Sequence, residues 1–293
     1  MNKIKMSIII PTYNKLGQLR IVLKSLESQV TKDIEVIIVF DGCKTSVIEE
    51  FTQYSFSFKP VIIICKENGG RAVARNKGIE VAKGDIITFV DDDRVASLNF
   101  IAEHLRLHEN VRKPAAVLGA RYDVFFDSTL IRKFGEDFSG ALTLLEEQAV
   151  YCPYPYVRGK KNLFRWINFF TGNVSVNRKL IEKVKGFDEN FKSWGGEDND
   201  LGIRLAINGA EYYYSEEAIN YHLSHESNYQ DASQSLDHNM QYMKRKFWHH
   251  PIVLWGLIIM HNDIKKHSTY MNETLLARYK ESKMKENQAN ETV

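Results

Sequence analysis

The sequence has few cysteines, no long run of basic residues and no apolar run of membrane-spanning length. Cys43, Cys65 and Cys152 are far apart and without CxxC spacing, which argues against a disulfide framework or a zinc knuckle and favours a reducing cytosol. A formal net charge of +2 with 26% charged residues is not typical of nucleic-acid binders. The longest apolar run, residues 252–260, is too short to cross a bilayer. Peripheral membrane contact or a homo-oligomer through the C-terminal helices stays open.

Several signatures of other protein classes are also missing. The N-terminus leads into a strand-like run without the pattern of a signal peptide, so we expect a cytoplasmic protein. The segment Gly69-Gly70-Arg71 lacks the Gly-Lys-Ser/Thr ending of a Walker loop, and no GxGxxG follows the first strand. These absences weigh against an NTPase and against a dinucleotide-dependent oxidoreductase.

The first half of the chain alternates short, β-branched apolar runs with amphipathic segments. The predicted strands are residues 6–10, 34–40, 61–65, 86–90 and 115–122. Strands that alternate with helices predict an α/β domain with a mostly parallel sheet and right-handed crossovers. In such sheets ligands bind beyond the carboxyl ends of the strands.

Polar, acidic and glycine residues follow four of these predicted strands. They are Pro11-Thr12-Tyr13-Asn14, Asp41-Gly42, Glu67-Asn68-Gly69-Gly70-Arg71 and Asp91-Asp92-Asp93. Two carboxylates one residue apart at a sheet edge, Asp91 and Asp93, suit Mn²⁺ or Mg²⁺ held together with substrate phosphates. A plain acidic turn is the alternative.

Beyond residue 123 the βα rhythm is lost. A helical stretch over 130–150 leads into an aromatic, proline-containing loop at 151–156, which acts either as a lid or as a plain surface connection. We expect two halves of one domain (1–122 and 123–230) and a helical C-terminal extension with a polar tail (231–293).

The stretch Ser193-Trp194-Gly195-Gly196-Glu197-Asp198-Asn199-Asp200-Leu201 places acidic groups at the predicted start of a helix. Carboxylates are favoured there by the unsatisfied N–H groups and the positive end of the helix dipole. The stretch is therefore either an ordinary acidic first turn or part of a catalytic site.

The ordered set of motifs resembles family 2 glycosyltransferases with the GT-A fold. The N-terminal matches are Ile8-Ile9-Ile10-Pro11-Thr12-Tyr13-Asn14, Asp41-Gly42, Gly70 with Ala74-Arg75-Asn76-Lys77-Gly78, and Phe89-Val90-Asp91-Asp92-Asp93. Three later segments are similar to the catalytic region shared by β-1,4-galactosyltransferases and chondroitin-polymerase-like enzymes. They are Thr171-Gly172-Asn173, Gly186-Phe187-Asp188-Glu189-Asn190-Phe191 and Trp194 to Leu201 with Arg204-Leu205. The resemblance covers about residues 5–225 and implies a Rossmann-like, mostly parallel sheet flanked by helices. It also implies that residues 1–122 are the nucleotide-sugar-binding half and residues 123–230 the acceptor-binding and catalytic half of the same domain.

Carried over by position, the resemblance implies a role for each matching residue. Pro11, Tyr13 and Asn14 would frame the uracil, Asp41 would hydrogen-bond it, and Arg71 and Arg75 would lie near the nucleotide. Asp91 and Asp92 would contact the ribose or sugar. Asp93 would ligate Mn²⁺ or Mg²⁺ together with His222, for which His225 is the competitor. The residues implied to contact sugar or acceptor are Gly172, Asn173, Trp194, Gly196 and Glu197.

Two departures from the family pattern bear on the donor site. Phe40 stands where many relatives have an aspartate, and Cys43 replaces a serine, so part of the contact with the base or ribose differs. Arg94 follows the acidic triplet where another acid is common. Its charge either pairs with Asp92 or approaches the diphosphate.

The resemblance implies a metal-dependent, inverting transfer from a UDP-sugar, of galactose or N-acetylhexosamine type, in bacterial glycan or glycoconjugate synthesis. Asp198 is the candidate base, because an acceptor hydroxyl needs a carboxylate within reach to take its proton. A glycan, lipid-linked, peptide or small-molecule acceptor fits equally well. The alternatives are a catalytically silent nucleotide-sugar-binding subunit and a nucleotidyltransferase.

Overall fold

A computed structural model describes residues 3–125, 128–152, 163–224, 229–262 and position 277. Within these ranges the strands are Met6–Thr12 (β1), Ile34–Asp41 (β2), Val61–Cys65 (β3), Ile86–Phe89 (β4), Arg94–Ala96 (β5), Ala115–Phe125 (β6), Val150–Cys152 (β7), Val174–Asn177 (β8) and Glu211–Ser224 (β9). The helices are Leu16–Leu26 (α1), Thr45–Phe51 (α2), Arg71–Val81 (α3), Phe100–Asn110 (α4), Ser128–Glu136 (α5), Phe138–Gln148 (α6), Arg178–Lys183 (α7), Glu197–Ile207 (α8), Tyr229–Lys246 (α9) and residues 251–262 (α10).

The described strands form a single curled sheet in the order β3-β2-β1-β4-β8-β6-β9-β5, and β7 pairs with β6. The first four strands along this order are parallel, as the sequence predicted. The second half is mixed, because β8 runs antiparallel to both β4 and β6, whereas β6 and β9 are parallel. The carboxyl ends of β1, β2 and β4 therefore open at one edge of the sheet.

Strand β1 is central because both of its faces are covered by helices. Ile8 and Ile10 pack into the apolar cluster on the α1 side, whereas Ile9 packs into the cluster on the α3 side. Gly78 lets α3 approach closely, since a Cβ at that position would lie 2.4 Å from Ile9 Cγ2. Successive residues of β1 point to opposite faces, and both faces are buried. The sequence therefore shows a nearly continuous apolar run at this strand and not an alternation of apolar and polar residues.

Four elements differ from the sequence prediction. Strand β7 takes up residues 150–152, which include the start of the predicted loop at 151–156. Strand β9 continues to Ser224 instead of ending at Ser215. A shift in its register with β6, between Gly119 and Arg121, accommodates the exposed Glu216 and Glu217, so β9 continues to pair with β6 beyond them. The short strand β5 was not predicted, and the expected helix at 130–150 is two helices separated by an extended Asp137. The loop at 153–162 and His225 lie outside the described residues.

The C-terminal helix α9 packs on the main body of the fold. Leu236, Met240 and Met243 belong to the largest apolar cluster, together with Phe191 and residues of α8. The boundary predicted at residue 230 therefore does not separate two cores. In the described part of the chain, no helix combines the length and apolar character required to cross a membrane.

Candidate active site

The first wall of the site lies at the carboxyl end of β2. Asp41 is 4% exposed, and its two carboxylate oxygens accept the backbone N–H groups of Gly69 (2.9 Å) and Gly70 (3.0 Å). Gly70 has a φ of +86°, which favours glycine at the start of α3. Asp41 thus fastens the glycine loop that carries Arg71, in addition to any contact with a base.

The segment after β1 is tied to the segment after β2. Asn14 has a φ of +56°, its backbone N–H donates to Cys43 Sγ (3.3 Å), and its Oδ1 accepts the backbone N–H of Lys44 (2.9 Å). The Cys43 thiol donates in turn to the Thr12 carbonyl (3.4 Å). These contacts leave Tyr13 52% exposed at the edge of the site, next to the half-buried Pro11.

A buried arginine joins the two halves of the site. Arg75 of α3 is 2% exposed, and its guanidinium donates to Asp91 Oδ1 (2.8 Å) and to Glu197 Oε1 (3.0 Å). Burial alone would raise the pKa of Asp91, but the charge of Arg75 holds it below its ordinary value. The carboxylate that ends β4 and the first residue of α8 therefore share one cation, although Arg75 and Glu197 are 122 residues apart.

The other two aspartates of the triplet face a lysine that the sequence did not single out. Lys15 Nζ lies 2.8 Å from Asp93 Oδ2 and 3.8 Å from Asp92 Oδ1. Thr12 Oγ1 donates to Asp92 Oδ2 (2.8 Å). Burial and the neighbouring Asp93 raise the pKa of Asp92 to about 7. Arg94 does not pair with Asp92, whose oxygens face Thr12 and Lys15.

The pair predicted to ligate a metal comes together across β5 and β9. His222 Nε2 lies 3.8 Å from Asp93 Oδ2, and His222 Nδ1 lies 2.9 Å from Asp123 Oδ1. Burial opposes ionisation of Asp123, but the hydrogen bond and charge of His222 hold its pKa well below the ordinary range. A carboxylate on the second ring nitrogen is the usual way in which proteins orient a metal-binding histidine.

The candidate base lies at the start of α8. Gly195 and Gly196 have φ values of +90° and +92°, and they turn the chain so that Glu197 and Asp198 occupy the first turn of the helix. Asp198 is half-buried, and its Oδ1 accepts the backbone N–H of Asn199 (2.8 Å). Burial and the charge of Glu197 raise the pKa of Asp198 to about 7, against the influence of Arg75. Trp194, 46% exposed, stands just before this turn.

Asn173 lies inside the fold and not on an open surface. Its side chain is fully buried, its Nδ2 donates to the carbonyls of Ala120 and Ala218 (2.9 Å each), and its Oδ1 lies 2.9 Å from His104 Nε2. These bonds use both polar atoms of the amide within the fold, where they hold neighbouring strands together.

Two further residues of the site were not predicted. Asp123 directly follows the fifth predicted strand. Ligands bind beyond the carboxyl ends of such strands, so its position in the sequence could have identified it. Asn239 of α9 gave no sequence signal, yet its Nδ2 lies 2.7 Å from the Gly195 carbonyl and 3.3 Å from those of Ser193 and Trp194. The loop that carries Trp194 is thus fastened by a helix from the C-terminal region.

Family models match most of the chain. The model described as glycosyl transferase family 2 matches residues 7–185, and the model described as the N-terminal domain of galactosyltransferase matches residues 160–226. The first match covers more than half of the 293 residues. The second includes α8 and all of β9.

Curated relatives carry related names. The uncharacterized glycosyltransferase YfnE of Bacillus subtilis is 28% identical, over 83% of this chain and 70% of its own length. The chondroitin synthase of Escherichia coli is 29% identical, over 74% of this chain and 34% of its own length. This chain therefore spans only a part of these relatives.

Two solved structures share the fold at low identity. S. aureus TarS 1–349, in complex with UDP-GlcNAc, has a TM-score of 0.64 at 14% identity. The match spans 90% of this chain and 72% of the TarS chain. The mannosyltransferase PcManGT from Pyrobaculum calidifontis, in complex with GDP-Man and Mn²⁺, has a TM-score of 0.59 at 15% identity. The match spans 95% of this chain and 87% of the PcManGT chain. The family match and this shared architecture agree, and the chain belongs to glycosyl transferase family 2 as a glycosyltransferase with the GT-A fold.

Proposed function

We propose that this glycosyltransferase moves a sugar of galactose or N-acetylhexosamine type from a UDP-sugar to an acceptor hydroxyl, with inversion at the anomeric carbon. The observation that carries the proposal is the Arg75 bridge, which sets Asp91 at the end of β4 beside Glu197, the residue next to Asp198. A donor-binding carboxylate and a candidate base therefore belong to one continuous charged cluster. The UDP-GlcNAc complex of TarS supports a UDP-sugar as the first donor to test.

The donor end of the site is assigned to the strand ends. Tyr13 offers an exposed aromatic face for stacking of a base, and the Asp41 carboxylate lies next to the glycine loop. Asp91 has a third of its side chain exposed while Arg75 holds it ionised, so it can accept hydrogen bonds from sugar or ribose hydroxyls.

The donor set at Asp93 fits a divalent cation. A carboxylate and an imidazole converge there, and Asp123 holds Nδ1 of His222 so that Nε2 is on the side of Asp93. Among the residues that the structure describes, no three His, Cys, Asp or Glu side chains gather to enclose an ion, which suits a site that is completed by phosphate oxygens and water. Mn²⁺ or Mg²⁺ bound by Asp93 and His222 would offset charge on the leaving diphosphate.

At the acceptor end, Asp198 takes the proton of the attacking hydroxyl, Glu197 orients sugar hydroxyls through its fixed place on Arg75, and Trp194 offers an apolar face to a sugar ring. A base with a pKa of about 7 is both available and strong enough at neutral pH. One base acting on one displacement inverts the anomeric centre.

The three free cysteines support a reducing, cytoplasmic location.

The test is Asp198→Asn, an isosteric change that removes the base. We expect release of UDP in the presence of acceptor to fall by roughly a hundredfold or more, while the affinity for UDP measured by calorimetry stays within about twofold of wild type. In wild type, kcat/KM should fall as pH drops through about 7, because Asp198 then becomes protonated. The variant should lack this acidic limb.

Asp85→Asn serves as a matched control, since the exposed Asp85 pairs with Lys3 at the opposite end of the sheet and has no assigned part in the transfer. Near-normal turnover in Asp198→Asn would remove Asp198 from the role of base. Transfer of the sugar with retention of its anomeric configuration would contradict the single displacement.

A further inference from the structure

Arg94 is a buried cation without a partner in the described structure. The residue opens β5, directly after the aspartate triplet and opposite His222 in the register with β9. It is 9% exposed, and neither Nε nor Nη1 of its guanidinium has a hydrogen-bond partner among the described residues. Leaving such donors unpaired in a protein interior is costly, so they mark a place that merits a functional explanation.

A glycine lies directly against this guanidinium. A Cβ at Gly172 would lie 2.9 Å from Arg94 Nε and 3.1 Å from Asp91 Oδ2, so any other residue would clash with both charged groups. Asn220 Nδ2 donates to the Gly172 carbonyl (2.6 Å) and fixes the glycine in place. Gly172 therefore keeps a side chain from coming between Arg94 Nε and the carboxylate assigned to the donor.

The nearby carboxylates are bonded to other groups. Asp91 accepts from Arg75 (2.8 Å), and Asp123 is bonded by His222 (2.9 Å) and by the Cys152 thiol (2.9 Å). Arg94 is close enough to both carboxylates to help lower their pKa, although burial and their direct partners have larger effects. The charge of Arg94 is thus partly balanced while its hydrogen-bonding capacity is unused.

We propose that Arg94 binds an oxyanion of the sugar donor through the N–H groups of its guanidinium, with Gly172 keeping any side chain away from them. This inference rests on the proposed function. Two parts of a donor carry that chemistry: the diphosphate of any UDP-sugar, and the carboxylate of a hexuronosyl group. A guanidinium fork matches either group bidentately. Arg94 replaces an acid common in the resembling family, so this contact distinguishes the chain from that pattern.

The experiment measures the affinity of Arg94→Met and Arg94→Lys for UDP, UDP-glucose and UDP-glucuronate by calorimetry with Mn²⁺. A diphosphate contact predicts that Arg94→Met binds all three roughly tenfold or more weakly. A carboxylate contact predicts that only UDP-glucuronate is affected. Arg94→Lys should recover part of the loss, because it restores the charge without the fork. The control is Arg106→Met, which removes an exposed arginine paired with Glu103 on α4.

Thermal denaturation of the unliganded proteins separates binding from scaffolding. Arg94 also helps to balance the charges of Asp91 and Asp123, so the comparison uses Arg94→Lys, which keeps the charge. A binding role predicts that Arg94→Lys keeps the wild-type Tm and still binds the ligands more weakly than wild type, whereas a purely structural role would lower the Tm in step with the affinity. The proposal is overturned if Arg94→Met binds all three ligands with wild-type affinity. It is also overturned if the variant loses affinity equally for the two UDP-sugars but not for UDP, because that result indicates a contact with a sugar hydroxyl. If wild type itself binds none of the three, the proposed function fails together with this inference. If wild type binds and the variant matches it, only the Arg94 proposal fails.

Discussion

At the scale of single residues, the site depends on carboxylates whose partners differ although their sequence contexts look alike. Asp91, Asp92 and Asp93 are adjacent, yet Arg75 bonds the first, Thr12 the second and Lys15 the third. The pKa of Asp91 is lowered and that of Asp92 is raised to about 7. Arg75 bonds Asp91 directly, whereas the more deeply buried Asp92 has the like charge of Asp93 beside it, and this contrast separates the two pKa values.

The metal assignment leads to a prediction at this scale. Asp93→Asn should weaken Mn²⁺ binding in the presence of UDP strongly, because it removes a charged oxygen ligand. Asp123→Asn should weaken the same binding by about 10–100-fold, because it no longer orients the ring of His222. Calorimetric titration of Mn²⁺ into the UDP complex measures both effects.

Glu103→Gln, on the surface of α4, is the control for loss of a carboxylate. An Asp93→Asn variant that binds Mn²⁺ as tightly as wild type would exclude Asp93 as a ligand. Lys15 Nζ lies 2.8 Å from Asp93 Oδ2, so its ammonium has to give way where an ion binds. We therefore expect the apparent Mn²⁺ affinity to be modest without diphosphate.

At the scale of elements, α9 holds the loop that leads into α8. Asn239 Nδ2 donates to the Gly195 carbonyl (2.7 Å) and lies within 3.3 Å of the two preceding carbonyls of that loop, and Lys246 lies 2.6 Å from both Asp188 and Asp200. Asp200 is fully buried and also accepts from Arg204 (2.7 Å). The third acid of the opening turn of α8 is therefore structural, whereas Asp198 faces the site.

Asn239→Asp tests the role of this helix. The change keeps the shape of the side chain but removes its N–H donors and places a negative charge against three carbonyl oxygens. We expect kcat to fall roughly tenfold or more, in line with a misplaced catalytic loop, with UDP affinity retained because the donor residues lie on other elements. Steady-state kinetics and calorimetry give the two values.

The neighbouring change Gln241→Ala, at an exposed position of the same helix, should leave both values unchanged. If Asn239→Asp had wild-type kcat, fastening of the loop by α9 would be irrelevant to turnover. If it lost UDP affinity and kcat in equal proportion, general unfolding would be the better explanation.

At the scale of the whole molecule, a buried polar network joins the two halves of the sheet. His104 Nδ1 lies 2.8 Å and His108 Nε2 2.9 Å from Ser175 Oγ, and His104 also meets Asn173. Burial lowers the pKa of both histidines to about 4. Both are therefore neutral in the folded protein at neutral pH.

Protonation of these histidines should destabilise the fold in acid. Because their folded pKa is depressed, the unfolded chain binds more protons between pH 6.5 and 4, and the free energy of unfolding falls as pH drops through that window, by on the order of 1–3 kcal/mol per histidine. Urea titrations at several pH values should give a shallower pH dependence for His104→Gln than for wild type. The exposed His238→Gln should behave like wild type, and an unchanged slope in His104→Gln would contradict the prediction.

The order of strands and helices in the first half was predictable, because it follows from local periodicity. Apart from Ser7, residues 6–10 of β1 are apolar because helices cover both faces of the strand. Acidic residues end β2 and follow β4 where the sheet opens. Strand β5 was too short to give such a signal. In β9 the exposed Glu216 and Glu217 interrupt the apolar pattern, so its full length was not foreseen.

The sequence by itself determined the fold family, the edge of the sheet that carries the site and the types of residue in it, because these depend on periodicity and on motifs of a few adjacent positions. Only the tertiary structure decided which charges share a partner. Arg75 bonds Glu197, which is 122 residues away in the sequence, and His222 bonds Asp123, which is 99 residues away. Neither pair produces a pattern in neighbouring residues of the sequence. The unpaired guanidinium of Arg94 is likewise visible only in three dimensions, because burial and the lack of a partner depend on everything packed around it.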